Sequence, residues 1–145
     1  MDKEFVKDRF LRGQDCSQVV FSNYAARYGL TEEQANKLTA SFGGGSGIGE
    51  TCGAVVGAMM VIGMEYGHKG PDDTENRQML MAKRAEFFSK WKERHQTCMC
   101  RELLGYDLTD PEQLKIVLEK GLMLDRTEIS KLLRCICKNT TFCMC

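Results

Sequence analysis

Eight cysteines are the residues of this 145-residue chain whose chemistry is most distinctive. Cys52 lies where a glycine-rich loop enters an apolar helix, and Cys16 and Cys100 also fall in the predicted first turns of helices. A helix N-terminus offers unpaired N–H groups and the positive end of a dipole, and both favour the thiolate form of cysteine. Thiolates bond metals and attack disulfides. The pattern predicts a metal or redox centre, with Cys52 as the redox thiol if no metal is bound.

The remaining cysteines extend this pattern, because they occur as pairs with one residue between the partners. The pairs are Cys98/Cys100, Cys135/Cys137 and Cys143/Cys145. The sequence contains no Cys-x-x-Cys, which argues against thioredoxin chemistry and common zinc knuckles. Thiolates from dispersed segments suit an iron–sulfur cluster or a zinc ion equally well, and neighbouring methionines leave copper as a less favoured choice.

Composition limits the remaining classes of function. The chain is 43% hydrophobic and has a formal net charge of zero, so we expect one folded domain over residues 1–145 and no nucleic-acid partner. Its first residues are charged, and its longest apolar stretch is shorter than the roughly 20 residues that a membrane-spanning helix needs. We therefore expect a cytoplasmic protein without a membrane span.

The glycine-rich loop over residues 43–49 is not expected to bind a nucleotide. The stretch from Gly44 to Thr51 resembles a phosphate-binding loop, but Glu50 stands where that loop has lysine. A carboxylate there would repel phosphate instead of neutralising it. We predict a backbone cradle whose N–H groups face anionic sulfur. Its residues are Gly43, Gly44, Gly45, Gly47 and Gly49.

Helix signals dominate the rest of the chain and predict an all-α bundle of about five to seven helices. Capping boxes are predicted at Asp15 and Thr31, and Asp110 followed by proline predicts another helix start. A helix over about 51–66 is apolar on every face and should be central and buried. A long polar helix over 72–95 could pack on its own bundle or on a second copy in a homodimer. A last helix is predicted over about 128–136, before a tail over 138–145 that we expect to be flexible unless its cysteines are bound.

The order of these motifs resembles the C_GCAxxG_C_C family of redox-active proteins. Cys16 comes first, Cys52-Gly53-Ala54-x-x-Gly57 follows the glycine loop, and Cys100 and Cys135 come later. The resemblance extends from about residue 15 to residue 137, and a related segment is similar to part of split-Soret cytochrome c. It implies a helical fold, an iron–sulfur site and an origin among anaerobic bacteria and archaea. Carried over, the four family cysteines are Cys16, Cys52, Cys100 and Cys135, with Cys98 and Cys137 as alternates.

We therefore expect an electron carrier or redox sensor with a four-cysteine iron–sulfur site and a redox partner protein, rather than an enzyme with its own substrate. Two alternatives remain open. One is a metal-free thiol–disulfide protein that uses two of the same cysteines, among which Cys52 should react fastest with alkylating agents. The other is a zinc or copper binding module built on the Cys-x-Cys pairs.

Overall fold

The structure, a computed structural model, describes residues 3–122. Within that range the ordered backbone is helical and no strand is present, which confirms the predicted all-α class. The α-helices are α1 (Lys3–Leu11), α2 (Cys16–Ala25), α3 (Glu32–Thr39), α4 (Gly53–Tyr66), α5 (Thr74–Lys92), α6 (Cys100–Leu104) and α7 (Pro111–Glu119). The predicted helix over about 128–136 and the tail over 138–145 lie outside the described residues.

The predicted helix starts are confirmed at α2, α3 and α7. In α2, the Gln18 side chain accepts the N–H of the N-cap Asp15 at 2.9 Å while the Asp15 carboxylate caps the first turn, and Thr31 forms the same box with Gln34 at α3. Asp110 caps α7, with proline at the first helical position. These signals are reliable because each lies within a few residues of the backbone groups that it satisfies.

The core forms where α4 packs between α2 and α5. Phe21 of α2 and Phe87 of α5 are among its largest fully buried side chains. The face of α4 in this core presents Ala54, Val55, Ala58, Val61 and Ile62, all fully or almost fully buried. The prediction of burial on every face is wrong, since Met64 is 47% exposed.

The ends of the helices and the first helix differ from the sequence prediction. The helix α4 begins at Gly53 instead of about residue 51, and α5 spans Thr74–Lys92 instead of 72–95. The helix α1 was not predicted from the sequence; its segment is rich in charged residues, and Val6 within it is fully buried. None of the helices between residues 3 and 122 has the length and apolarity needed to span a lipid bilayer.

Candidate functional site

The start of α2 holds Cys16 in a capped and buried position. The Asp15 carboxylate accepts hydrogen bonds from the N–H groups of Ser17 at 3.2 Å and Gln18 at 3.3 Å. The Ser17 hydroxyl lies 2.6 Å from this carboxylate and 2.8 Å from the carbonyl oxygen of Thr39, at the end of α3. Cys16 is 1% exposed. Its thiol is thus carried by a first turn that its own cap and α3 hold in place.

Between α3 and Cys52 the chain makes a left-handed turn through four consecutive residues. Gly44, Gly45, Ser46 and Gly47 have φ angles of 59°, 64°, 58° and 73°. The left-handed conformation, which suits glycine, destabilises Ser46 by about 1–2 kcal/mol. A Cβ at Gly45 would lie 2.5 Å from the backbone nitrogen and oxygen of Glu50, so a side chain is excluded there by contact as well as by conformation. The turn folds the chain back until Glu50 N–H donates to the Gly45 carbonyl at 3.1 Å.

After this turn the chain meets the segment that precedes α6. Thr51 and Met99 face each other in an isolated antiparallel bridge. Beside the bridge, Cys52 N–H donates to the Cys98 carbonyl oxygen at 2.8 Å. Opposite residues of an antiparallel pair project to the same face. Cys52 and Cys98 are therefore neighbours across this contact, although they are far apart in sequence.

The other side of the bridge fixes the start of α6. Cys100 N–H donates to the Glu50 carbonyl oxygen at 2.7 Å, and Cys100 is 1% exposed. The Glu50 carboxylate pairs with the Arg101 guanidinium at 2.7 Å. Gly49 lies under the Arg101 side chain, whose Cβ would be 3.1 Å from a Cβ at Gly49. The carboxylate that excluded a phosphate site thus has a structural role, which is to join the glycine loop to α6.

Cys52 is the N-cap residue of α4, one position before the first turn in which it was predicted. Its carbonyl oxygen accepts hydrogen bonds from the N–H groups of Val55 at 2.8 Å and Val56 at 3.0 Å. The residue therefore remains at the positive end of the helix dipole. It is 1% exposed, which is unfavourable for the fast alkylation that we expected. The structure instead makes the half-buried Cys98 the first of the two thiols that a reagent would reach.

Glycines let α2 and α4 approach closely beside the two buried thiols. A Cβ at Gly53 would overlap the carbonyl oxygen of Phe42 and lie 3.3 Å from the backbone nitrogen of Ser17. One turn later, a Cβ at Gly57 would lie 2.9 Å from the carbonyl oxygen of Ser17. Ser17 follows Cys16 and Gly53 follows Cys52, so the backbone segments that carry these cysteines are in direct contact.

The environment of Cys98 opposes its ionisation. Burial raises the pKa of the Cys98 thiol, and the nearby thiol of Cys52 raises this pKa further. The Lys92 ammonium at the end of α5 acts in the opposite direction and lowers the pKa of Cys98. The electrostatic effect of Cys52 on Cys98 agrees with their positions on opposite sides of the bridge.

The aromatic end of α5 anchors the segment that contains Cys98. The indole N–H of Trp91 donates to the Thr97 carbonyl oxygen at 2.9 Å, and Met99 N–H donates to the Thr97 hydroxyl at 3.0 Å. The His95 ring stacks on the indole, with 4.1 Å between ring centroids. Trp91 is itself 4% exposed, so it ties this segment to the core.

The structure brings three of the four predicted ligands to neighbouring helix starts. Cys16, Cys52 and Cys100 belong to one buried apolar cluster, and Cys98 packs against it. These four described cysteines are thiols, not disulfides. The fourth predicted ligand and its alternate, Cys135 and Cys137, lie outside the described residues, as do Cys143 and Cys145.

The thiols in the described part of the chain do not form a single-ion site. Between residues 3 and 122, no group of three or more His, Cys, Asp or Glu side chains is placed to hold one metal ion. A structural zinc ion would require such a group, with each sulfur about 2.3 Å from the metal.

Two features of this site were not predicted from the sequence. Cys98 was expected as an alternate for Cys100 or as its partner in a Cys-x-Cys pair, whereas the structure sets Cys98 opposite Cys52. The ion pair between Glu50 and Arg101 was also not predicted. The sequence around Cys98 offers only a local signal, which is a Cys-x-Cys pair between two helices and is compatible with an extended segment. The segment with which it pairs lies about fifty positions earlier in the chain, so the pairing leaves no local sequence pattern.

Comparison with known proteins gives one result. The model of a family described as "Putative redox-active protein (C_GCAxxG_C_C)" matches residues 14–143. No curated protein and no solved structure matches the chain. The matched range includes Cys16, Cys52, Cys100 and Cys135, together with Cys98 and the glycine loop.

Proposed function

We propose that this chain, which belongs to the C_GCAxxG_C_C family of redox-active proteins, is an electron carrier or redox sensor with an iron–sulfur site. The proposed ligands are Cys16, Cys52, Cys100 and Cys135. The observation that carries the proposal is the burial of the first three, each 1% exposed, at helix starts that contact one another.

The donor set supports an iron–sulfur cluster. Thiolates are soft ligands that suit a cluster and a zinc ion alike. Cys16, Cys52 and Cys100 come from three separate segments and belong to one buried apolar cluster of the described residues. An iron–sulfur cluster takes one protein thiolate per iron from such dispersed cysteines, and quantification of iron and zinc distinguishes it from a zinc site.

The protein's own contribution is to exclude water and to stabilise negative charge. The buried apolar cluster that contains the thiols also includes Phe87, Trp91 and Leu108. The starts of α2 and α4 direct positive dipole ends towards it. The Glu50 carboxylate is paired with Arg101, which reduces the repulsion that it would exert on an anionic centre.

When bound, the cluster would supply one-electron transfer, and the electron would come from or pass to another protein. Zero formal net charge gives little long-range steering, so recognition of this redox partner would depend on local surface features.

The experiment that tests this proposal is anaerobic reconstitution with iron and sulfide, followed by absorption spectroscopy and quantification of iron, sulfide and zinc. We expect a coloured protein with iron and sulfide in similar amounts. Replacing Cys16, Cys52 or Cys100 with serine should reduce the iron content. The Cys98→Ser variant is the matched control, because it removes a neighbouring thiol outside the proposed set.

Colourless and iron-free protein after reconstitution would contradict the proposal, as would stoichiometric zinc without iron. If Cys98→Ser loses iron while Cys100→Ser retains it, the ligand assignment within the Cys98/Cys100 pair is wrong. Circular dichroism of each variant shows whether a loss of iron simply reflects a loss of the helical fold.

A further inference from the structure

We infer that Cys52 and Cys98 are a redox modification site: in the cluster-free protein they form a disulfide when a small-molecule disulfide such as oxidised glutathione is present. This goes beyond the proposed function, because Cys98 is not one of the four proposed ligands. The juxtaposition that carries the inference is the short antiparallel contact centred on Thr51 and Met99.

The backbone geometry of this contact fits a disulfide. The antiparallel pairing of Thr51 with Met99 sets Cys52 opposite Cys98, and Cys52 N–H donates to the Cys98 carbonyl oxygen at 2.8 Å. Opposite residues of an antiparallel pair have their Cα atoms about 4.5–5.5 Å apart. Disulfides form at Cα separations of about 4.4–6.8 Å, and most often near the middle of this range. The bond therefore needs side-chain rotation and no large movement of the backbone.

Both halves of the contact are fixed independently of the bond. The Cys52 carbonyl oxygen accepts the N–H groups of Val55 and Val56, which ties this cysteine to α4. On the other side, Thr97 receives the indole N–H of Trp91 and the N–H of Met99, which ties the Cys98 segment to α5. The two cysteine backbones are thus held opposite each other by elements that belong to the same core.

The difference in exposure of the two thiols gives the order of the steps. Cys98 is half-buried, whereas Cys52 is 1% exposed, so the external disulfide meets Cys98 first. The Cys98 thiolate attacks one sulfur of oxidised glutathione, which forms a mixed disulfide and releases one glutathione thiolate. The Cys52 thiolate then attacks the Cys98 sulfur and releases the second. Two electrons pass from the protein dithiol to glutathione disulfide, and the two thiol protons end on two molecules of glutathione.

The other two described thiols are less suited to this reaction. Cys100 faces Glu50 across the bridge, since its N–H donates to the Glu50 carbonyl oxygen. Cys16 lies in the first turn of α2, whose backbone meets α4 at Ser17 instead of pairing with the Cys52 backbone. Both are 1% exposed, so neither is a better entry point than Cys98 for an external disulfide.

The test is a disulfide map of full-length, metal-free protein after incubation with oxidised glutathione, alkylation of remaining thiols and trypsin digestion without reduction. Cleavage after Lys37 and Lys69 places Cys52 in peptide 38–69, and cleavage after Arg94 and Arg101 places Cys98 and Cys100 in peptide 95–101. We expect these two peptides to be linked in the wild type, in Cys16→Ser and in Cys100→Ser. The link should be absent in Cys52→Ser and in Cys98→Ser, whose fold is checked by circular dichroism.

Several results would overturn the inference. A link that survives in Cys98→Ser would assign the bond to Cys100. A map dominated by a bond within peptide 95–101, or by bonds to the cysteines after residue 122, would show that other pairs are preferred. Glutathione retained on Cys98 without release of the second molecule would show that Cys52 does not reach the mixed disulfide.

One consequence rests on the proposed function as well. A Cys52–Cys98 disulfide removes Cys52 from the ligand set, so oxidised wild type should take up no iron until a dithiol reductant is added. Cys98→Ser treated in the same way should still load iron. If reduced wild type also fails to load iron, the proposed cluster is wrong, whereas the disulfide map is unaffected by that result.

Discussion

Replacing Gly53 with alanine should weaken the packing of α4 on α2 beside the buried thiols. A Cβ at this position would overlap the carbonyl oxygen of Phe42 and lie 3.1 Å from the Phe42 carbonyl carbon and 3.3 Å from the Ser17 nitrogen. All of these are backbone atoms, so no change of rotamer can relieve the overlap. The start of α4 must therefore move away from the loop before it and from the start of α2.

The expected loss follows from two opposing effects. Forcing an extra methyl group into a filled interior costs about 1–3 kcal/mol. Alanine recovers up to about 1 kcal/mol through its higher helix propensity, and less at the first residue of a helix. We expect the free energy of unfolding to fall by about 1–2 kcal/mol, which lowers the Tm by about 2–8 °C for a chain of this size.

Two other glycines of α4 serve as internal controls. A Cβ at Gly63 would meet nothing within 4 Å, so Gly63→Ala should gain about 0.5–1 kcal/mol from helix propensity alone. A Cβ at Gly57 would lie 2.9 Å from the Ser17 carbonyl oxygen, a less severe overlap than that at Gly53. Stability should therefore increase in the order Gly53→Ala, Gly57→Ala, wild type, Gly63→Ala.

The assay is urea denaturation of the metal-free, reduced proteins, followed by far-ultraviolet circular dichroism. A Gly53→Ala protein that is as stable as Gly63→Ala would refute the close approach of α2 and α4. Iron content after reconstitution is a second measurement. Because Gly53 follows Cys52 and contacts Ser17 next to Cys16, its replacement should reduce iron loading more than Gly63→Ala does.

Three further predictions concern single residues around the site. Ser46→Gly should raise the free energy of unfolding by about 0.5–1 kcal/mol, because the relief of left-handed strain outweighs the greater entropy of glycine in the unfolded chain. An unchanged stability in urea would contradict the φ of 58° at Ser46. Asp15→Ala should lower the free energy of unfolding by about 1–2 kcal/mol through loss of the α2 cap, whereas Asp15→Asn should retain most of this stability. An equal loss of stability in the two variants would exclude a capping role for Asp15. Because its pKa is raised, Cys98 should be alkylated more slowly than an exposed thiol, and the rate should increase as pH rises. Lys92→Gln should slow the alkylation of Cys98 and Cys52→Ser should accelerate it, whereas the reverse order would contradict these electrostatic effects.

The sequence predicted the helix starts well because their signals are local. Asp15 and Thr31 each cap a first turn with a glutamine three residues later, and Asp110 precedes a proline. Those side chains act on backbone groups within the same turn, so their effect does not depend on the rest of the fold. Gly105 is a local signal of the same kind, because its left-handed φ of 73° suits glycine and ends α6.

Prediction was weaker where the outcome depends on distant partners. No helix was predicted for the charged segment of α1. Val6 is buried there because it packs against the core, and this contact is not visible in the local sequence. The position of Cys98 opposite Cys52 depends on how the left-handed loop returns the chain to the segment before α6. A tertiary pairing of this length leaves no periodicity in either segment.

The glycines around Cys52 acquire a more specific role from these contacts. Gly43 lies against Asp15, the residue before Cys16, and Gly53 lies against Ser17, the residue after it. Gly49 lies against Arg101, the residue after Cys100. At each place a side chain would separate Cys52 from a segment that carries another buried thiol. The small residues of the motif therefore act first by allowing three cysteine-bearing backbones to meet, and this holds whether the thiols bind a cluster or exchange disulfides.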